Sequence, residues 1–414
     1  MTMIKPFSQK DIPKNSRLLI ITEMPVREES FLCEFLLDGE KKTLSIHAEP
    51  RESHMKMGSL YSGRIERVLS SPAAAFLNLG EGMAYLPIRQ GMPLFYTDKR
   101  SGKDFCKGQG LSQGDSLLVS VDKEAVRTKE AVLTSRFTVK SSHLIYEFGR
   151  KGLHFAKAIR KDQKKEVEEL CLTELDPGDW DGSITLRTNA KGVSANVLLP
   201  EMRRLLDRVR SLEMRGMSMA GPGLLEEAEP HYIESFLHEE DSYDYIRTDL
   251  CEVNEILKEK AMESHRPDLL DRIDYYQDDF SLAKLYSLTK RLEEASQRLV
   301  YLKCGGNLVL EKTEACYVID VNSAKALHEA PFDLNREALI EAFRQIRLRN
   351  LSGIILIDLV KMKTEAERQA LVDISKDLAE KDPLPVRVYG ITALGLLEVT
   401  REKRERTLRD QLKI

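Results

Sequence analysis

The chain has 414 residues, 42% hydrophobic and 31% charged, with 23 Gly and 15 Pro; these ordinary globular values exclude a disordered, collagenous or coiled-coil chain, and the length asks for several domains. Lys plus Arg number 63 against 67 Asp plus Glu, a net charge of −4, so a polyanion would have to be held by a local basic patch. No apolar run approaches the ~18 residues of a membrane span and the opening stretch MTMIKPFSQKDIPKNSR lacks the apolar centre of a secretory signal, which points to a cytoplasmic protein.

Residues 1–17 are polar and read as a loose lead-in, after which LLIIT and FLCEFLL read as opening strands. From Tyr61 the texture changes to short strands with Gly-marked turns (YSGRIERVL, AAAFLNLGEGMAYLPI, SLLVSVD), the pattern of a small β-barrel. Between 99 and 170 basic residues prevail, from Lys123, Arg127 and Lys129 to Lys164 and Lys165, supplying the local patch. Helical, charged sequence fills 200–300, broken by GMSMAGPG. The last third reads as strand 315–321, helix 334–348, strand 354–360, helix 365–380 and strand 386–389, a βαβαβ order that predicts a mainly parallel sheet. Ala338, Leu339, Ala342, Phe343 and Ile346 give the first of those helices its apolar face, and Thr364 with Glu367 forms a capping box for the second. The six cysteines (Cys33, Cys106, Cys171, Cys251, Cys304, Cys316) stand singly, with no CxxC, and read as buried reduced thiols.

Three groups of residues carry chemistry. Asp320 in VIDVNS and Asp358 in IILIDLV stand in strands where burial on a sheet would demand apolar side chains, and an isolated buried carboxylate is costly unless paired, neutralised or metal-bound. Period-two geometry puts Asn322 on the face of Asp320, so two carboxylates and an amide oxygen converge at strand ends, a set suited to Mg²⁺. On spacing alone, the same acids also serve as loop caps or arginine partners. Phe76 and Tyr85, with Lys123 and Lys129 on a later strand, offer stacking faces and charge to single-stranded nucleic acid, although both rings also suit a core. Arg187 and Thr188 end the strand SITLRT before the loop NAKG, where they grip a terminal phosphate or form an ordinary surface pair.

These residues lie in GRIERVLSSPAAAFLNLG, DKEAVRTKEAVLTS, SITLRTNAKG, GGNLVLEKTEACYVIDVNSA, QIRLRNLSGIILIDLVKM and YGITALGLLEVTR, through which the sequence resembles the ribonuclease E/G family of bacterial endoribonucleases from about residue 18 to 405. The resemblance implies a multidomain α+β chain. An OB-type RNA-binding β-barrel (58–137) is inserted in a ribonuclease H-like subdomain (18–57 and 223–295). A 5′-end sensor subdomain (138–222) and a DNase I-like α/β catalytic subdomain (296–400) follow, flanked by a flexible N-terminal lead (1–17) and a charged C-terminal tail (401–414). Carried over by position, Asp320 and Asp358 would be Mg²⁺ ligands, with Asn322 supporting the ion or the scissile phosphate. Phe76, Tyr85, Lys123 and Lys129 would hold single-stranded RNA; Arg187, Thr188 and the backbone near Ile145 would clasp a 5′-monophosphate.

The sequence also departs from the family pattern. No cysteine follows Cys316, so a zinc-linked dimer is not expected and any homodimer needs another interface; Lys361 replaces a second acid; and a short stretch between Ser323 and Phe332 reshapes the lip of the cleft. The expected activity is Mg²⁺-dependent endonucleolytic cleavage of RNA, and the resemblance implies a single-stranded, A/U-rich substrate and 5′-phosphate and 3′-hydroxyl product ends. The rivals are a noncatalytic RNA-binding protein that keeps the fold and a phosphatase or nuclease acting on DNA.

Overall fold

The computed structural model describes residues 15–52, 55–97, 102–105, 111–125, 130–174, 182–238, 243–264, 266–324 and 330–413. The chain divides into two compact units, one formed by residues up to 52 together with those from 231 onward, the other by residues 53–230. No helix of the described residues is long and apolar enough to cross a membrane.

In the first unit a five-stranded sheet of described strands has the order Ile273–Tyr275, Tyr245–Thr248, Leu18–Val26, Glu29–Leu37, Thr43–Pro50. The run LLII is continuous because its strand is covered on both faces. Leu18 and Ile20 pack with Leu282, Leu288 and Leu292, while Leu19 and Ile21 pack with Tyr232, Phe236, Val253 and Leu257. The charged C-terminal tail packs into this unit. Leu408 (0% exposed) and Leu412 (2%) sit one helical turn apart and are buried in the first of these clusters, and the Gln411 side chain accepts from the Ala48 amide at 3.0 Å.

The second sheet of this unit runs Leu299–Tyr301, Asn307–Lys312, Cys316–Asn322, Gly353–Asp358, Leu396–Arg401, Val386–Ile391 among the described strands. Its strands and helices fall where the sequence placed them, and Thr364 and Glu367 do form the capping box of helix Glu365–Ala379. The mainly parallel sheet is corrected, since only Cys316–Asn322 and Gly353–Asp358 pair in parallel. Leu396–Arg401 folds back from Val386–Ile391 through a turn in which Gly395 has φ +94 and inserts beside Gly353–Asp358, where a third parallel strand was expected. Alternate residues Ile319, Val321, Ile355, Ile357, Leu397 and Val399 share a core with Ala338, Leu339, Ala342 and Leu371 of the two helices. The opposite face is more open, and Ile354 on it is 51% exposed.

In the second unit, Leu60–Ser70, Ala73–Asn78, Met83–Pro87, Ala131–Thr134 and Ser116–Lys123 pair in that order, and the last pairs back with the first, so five described strands close a barrel. Its interior is filled by Ile65, Leu77, Leu86, Val119, Val121 and Leu133, among others. Gly223–Glu226 extends this sheet on the strand Leu60–Ser70, so the segment expected to leave at 223 stays with the barrel unit up to 230. A four-stranded sheet of described strands (Thr138–Lys140, Leu144–Phe148, Gly182–Leu186, Gly152–Phe155) packs its Tyr146, Phe148, Ile184 and Leu186 with Leu198, Met202, Leu205 and Val209 of helix Ala195–Ser218. Cys33 and Cys171 are the buried thiols, and burial pushes them up to about 12 and about 11. Cys251 is exposed and Cys304 and Cys316 half-buried, because they sit at a helix start, a turn and an end strand residue, and Cys106 lies outside the described residues.

Candidate active site and nucleic-acid interface

Asp320 and Asp358 are register partners on the two adjacent parallel strands, Asp358 ending its strand and Asp320 standing two residues before the end of the other. Their strands alternate, so both acids stand on the more open face while Ile319, Val321 and Ile357 point into the core. Asp358 is exposed and Asp320 half-buried, which corrects the expectation of carboxylates forced into a buried sheet. Asn322 is brought to Asp320 as period-two spacing requires, but it meets the acid through its amide nitrogen: Nδ2 donates to Asp320 Oδ2 at 2.8 Å. An ionised carboxylate attracts a donor, so this amide holds Asp320 in place. The set is all-oxygen at its carboxylate end, open to solvent and lies at the strand ends, which fits a hard divalent cation of Mg²⁺ type.

Two supports were not read from the sequence. Asn335, fully buried on helix Pro331–Leu348, clamps the backbone just after Asp358: its Nδ2 donates to Val360 O at 2.7 Å and its Oδ1 accepts from Val360 N at 2.9 Å. A polar residue in register with Ala338, Ala342 and Ile346 on the apolar helix face was the available signal. Beneath the strand end, a side chain on Gly306 would put its Cβ 2.9 Å from Asn322 O and 2.7 Å from Leu334, so only glycine fits there. Lys361 is exposed in the loop after Asp358, and residues 325–329 of the expected cleft lip lie outside the described residues.

On the barrel, Phe76 and Tyr85 are directly paired across neighbouring strands with ring centroids 5.6 Å apart at 67°. Tyr85 and Lys123 both flank Val132, and Arg67 pairs with Phe76, its guanidinium 4.9 Å from the ring centroid. Arg67, Phe76, Tyr85, Val132 and Lys123 therefore form one row across the outer face. Both rings are half-exposed while their strand neighbours Ala75, Leu77, Ala84 and Leu86 fill the core, so they are not themselves core residues. Arg67 escaped notice because only the antiparallel register brings it to Phe76. Lys129 and Arg127 lie outside the described residues.

Arg187 follows strand Gly182–Leu186 and its amide donates to His143 O at 2.9 Å, while Thr188 opens a short 3₁₀ turn; Ile145 pairs with Thr185 in the neighbouring strand. Thr188 is exposed and Arg187 partly so. The loop is pinned from behind. Buried Gln163 donates to Ala190 O at 2.7 Å and to Val193 O at 2.9 Å, and accepts from Gly192 N at 3.1 Å, where φ is +80. Glu201 anchors the opposite segment, accepting from Ser141 Oγ at 2.6 Å and His143 N at 2.7 Å and meeting His143 Nδ1 at 2.8 Å. Burial pushes the Glu201 carboxyl up, but the hydrogen bonds from His143 and Ser141 outweigh it and hold the carboxyl below its ordinary value.

A model of the Ribonuclease E/G family matches residues 138–404. The chain is 29% identical to Ribonuclease E of Haemophilus influenzae over 384 residues, covering 89% of this chain and 40% of that protein. It is also 29% identical to Ribonuclease E of Escherichia coli K12, covering 35% of that protein, and to Ribonuclease G of the same strain over 377 residues, covering 86% of this chain and 75% of the relative. The chain thus spans less than half the length of the two ribonuclease E proteins.

Proposed function

We propose, from the premise that the chain belongs to the ribonuclease E/G family, that it is an endoribonuclease that cuts single-stranded RNA with Mg²⁺, leaves 5′-phosphate and 3′-hydroxyl ends and works faster on 5′-monophosphorylated substrates. The observation that carries the reading is the side-by-side placing of Asp320 and Asp358 on parallel strands with Asn322 bonded to the first. The strand order of the barrel supports an OB-type module, and the order of the five-stranded sheet supports a ribonuclease H-like one.

Asp320 and Asp358 would hold the ion, which when bound activates a water and offsets charge on the scissile phosphate. Asn322 keeps Asp320 turned toward that position, and Asn335 keeps the chain after Asp358 from shifting. Arg67, Phe76, Tyr85 and Lys123 hold an extended strand by stacking bases and meeting phosphates, which leaves paired bases without a face to stack on. Arg187 and Thr188 receive a terminal phosphate through a charged fork and a hydroxyl. The deciding experiment incubates the purified chain with 5′-monophosphorylated single-stranded RNA and a matched DNA, with Mg²⁺ or EDTA. Mg²⁺-dependent cutting of the RNA alone is expected, and binding without cutting would leave an RNA-binding protein.

Two further results are expected from the same reagents. Phe76→Ala should weaken RNA affinity by about 1 to 3 kcal/mol, and Lys123→Ala should weaken it uniformly and lower the salt slope by about one phosphate contact; fluorescence anisotropy across a salt series measures both. Unchanged affinity in both folded variants would remove the row from the interface. The 5′-monophosphate should raise kcat/KM about tenfold to a hundredfold over 5′-hydroxyl RNA, the range of a charge-assisted bond of about 1.5 to 3 kcal/mol. Arg187→Ala should erase that preference while sparing cleavage of 5′-hydroxyl RNA, and equal wild-type rates on the two RNAs would end the sensor assignment.

A further inference from the structure

The first unit holds a second cluster of chemically competent side chains that none of the roles above uses. His47, from strand Thr43–Pro50, and His231, at the start of helix His231–His238, stack face to face with ring centroids 3.7 Å apart at 15°. Every ring nitrogen meets a carboxylate. His47 Nδ1 lies 3.2 Å from Glu405 and Nε2 3.3 Å from Glu49, whereas His231 Nδ1 lies 2.9 Å from Glu34 and Nε2 3.1 Å from Glu405. One donor atom each from Glu34, His47 and His231 lie within 4.8 Å of one another, and Glu405 reaches both rings. A pocket of about 40 Å³ opens on the group, lined also by Ser45, Ser235 and Tyr243.

We propose that His47, His231 and Glu34 form a site for one first-row divalent transition ion, zinc by its donor set, with Glu405 outside the ligand set on the far nitrogen of His231. Three carboxylates around two rings leave a net charge of −1 even when both rings are protonated, so the group attracts a cation. Imidazole nitrogen with carboxylate oxygen is the donor mix of zinc, and bonds of about 2.0–2.2 Å put the donors of a tetrahedral ion about 3.4 Å apart, so the three donors draw together on binding. The His231 nitrogen turned away from Glu34 stays held by Glu405, which also meets His47, the outer-shell arrangement that fixes a metal-bound imidazole. The ion would tie the sheet to the start of a helix, and Glu405 would join to it the segment ahead of the C-terminal Leu408–Gln411. Asp320 and Asp358 are not part of it, and oxygen-only sites favour Mg²⁺, so the two sites sort metals by donor softness.

The test uses the full chain freed of metal by a chelator, titrated with ZnCl₂ alone by calorimetry and with CoCl₂ alone by visible absorption. Binding of one equivalent of zinc is expected, with cobalt giving visible ligand-field bands and no thiolate charge-transfer band. His47→Gln and His231→Gln should each weaken zinc binding at least about a hundredfold, and Glu405→Ala, which takes the carboxylate from the far nitrogen of His231, by about 10- to 100-fold. Asp358→Asn should leave zinc binding unchanged. Absence of a saturable equivalent on the wild-type chain, a thiolate band, or loss of zinc in Asp358→Asn with retention in Glu405→Ala would each overturn the proposal; the wild-type titration decides even if the histidine variants fail to fold.

Discussion

Asp320→Asn and Asp358→Asn are each expected to lower single-turnover cleavage of single-stranded RNA on the order of a thousandfold. A metal centre contributes several kcal/mol to transition-state charge stabilisation, and every ~1.4 kcal/mol is a factor of ten in rate. Each substitution keeps the size of the side chain and removes one negative oxygen from the pair that faces across the parallel strands. Neither acid is buried in the core beneath the sheet, so folding should be spared, and RNA affinity should stay near wild type because the barrel row is untouched. Asn322→Ala should be milder, since it removes only the 2.8 Å hydrogen bond that steadies Asp320. The measurement pairs rapid-quench cleavage with anisotropy. Near wild-type cutting by either Asn variant would sink the assignment of these carboxylates to the reaction.

The second large effect concerns stability. Arg247 is 1% exposed and its Nε donates to Asp274 Oδ2 at 2.5 Å; Nη1 donates to Tyr286 Oη at 2.8 Å, and the guanidinium lies 5.9 Å from the Tyr276 ring. The two residues are register partners on the short parallel strands Tyr245–Thr248 and Ile273–Tyr275, which makes the pair the polar rivet of that sheet edge. Asp274→Ala takes the carboxylate from a buried guanidinium and should cost about 3–5 kcal/mol of unfolding free energy. Replacing both partners by apolar residues, Arg247→Met with Asp274→Leu, should recover most of that loss, because it also removes the charge that had to be desolvated. Urea unfolding followed by tryptophan-independent far-UV dichroism gives the midpoints. A loss below about 1 kcal/mol for Asp274→Ala, the size of a surface pair, would contradict the rivet.

The elements near the reaction were legible because local rules govern them. The capping box at Thr364 and the apolar stripe from Ala338 to Ile346 fixed two helices, and strand-end carboxylates in apolar runs drew the eye to Asp320 and Asp358. What stayed hidden depends on pairing between distant segments. Nothing within YGITALGLLEVTR says that Leu396–Arg401 will insert next to Gly353–Asp358, since sheet order is decided by which edge is free when the hairpin arrives. Arg67 meets Phe76, and Asn335 meets Val360, only through register and packing. The cluster of Glu34, His47, His231 and Glu405 is drawn from four stretches of chain, so no spacing rule could have found it.

The parallel pairing of Leu18–Val26 with Tyr245–Thr248 also bears on how the protein is made. Tyr245–Thr248 leaves the ribosome about 200 residues after the strand it must join, with the whole barrel unit synthesised in between. At about 5–20 residues per second the nascent hairpin waits roughly 10 to 40 s with the LLII edge unpaired. Such an edge is a template for strand addition by a neighbouring chain. Slow growth of the chain, or arrest before residue 245, therefore favours aggregation, while the barrel unit, whose strands all lie within 53–230, is free to fold in the interval.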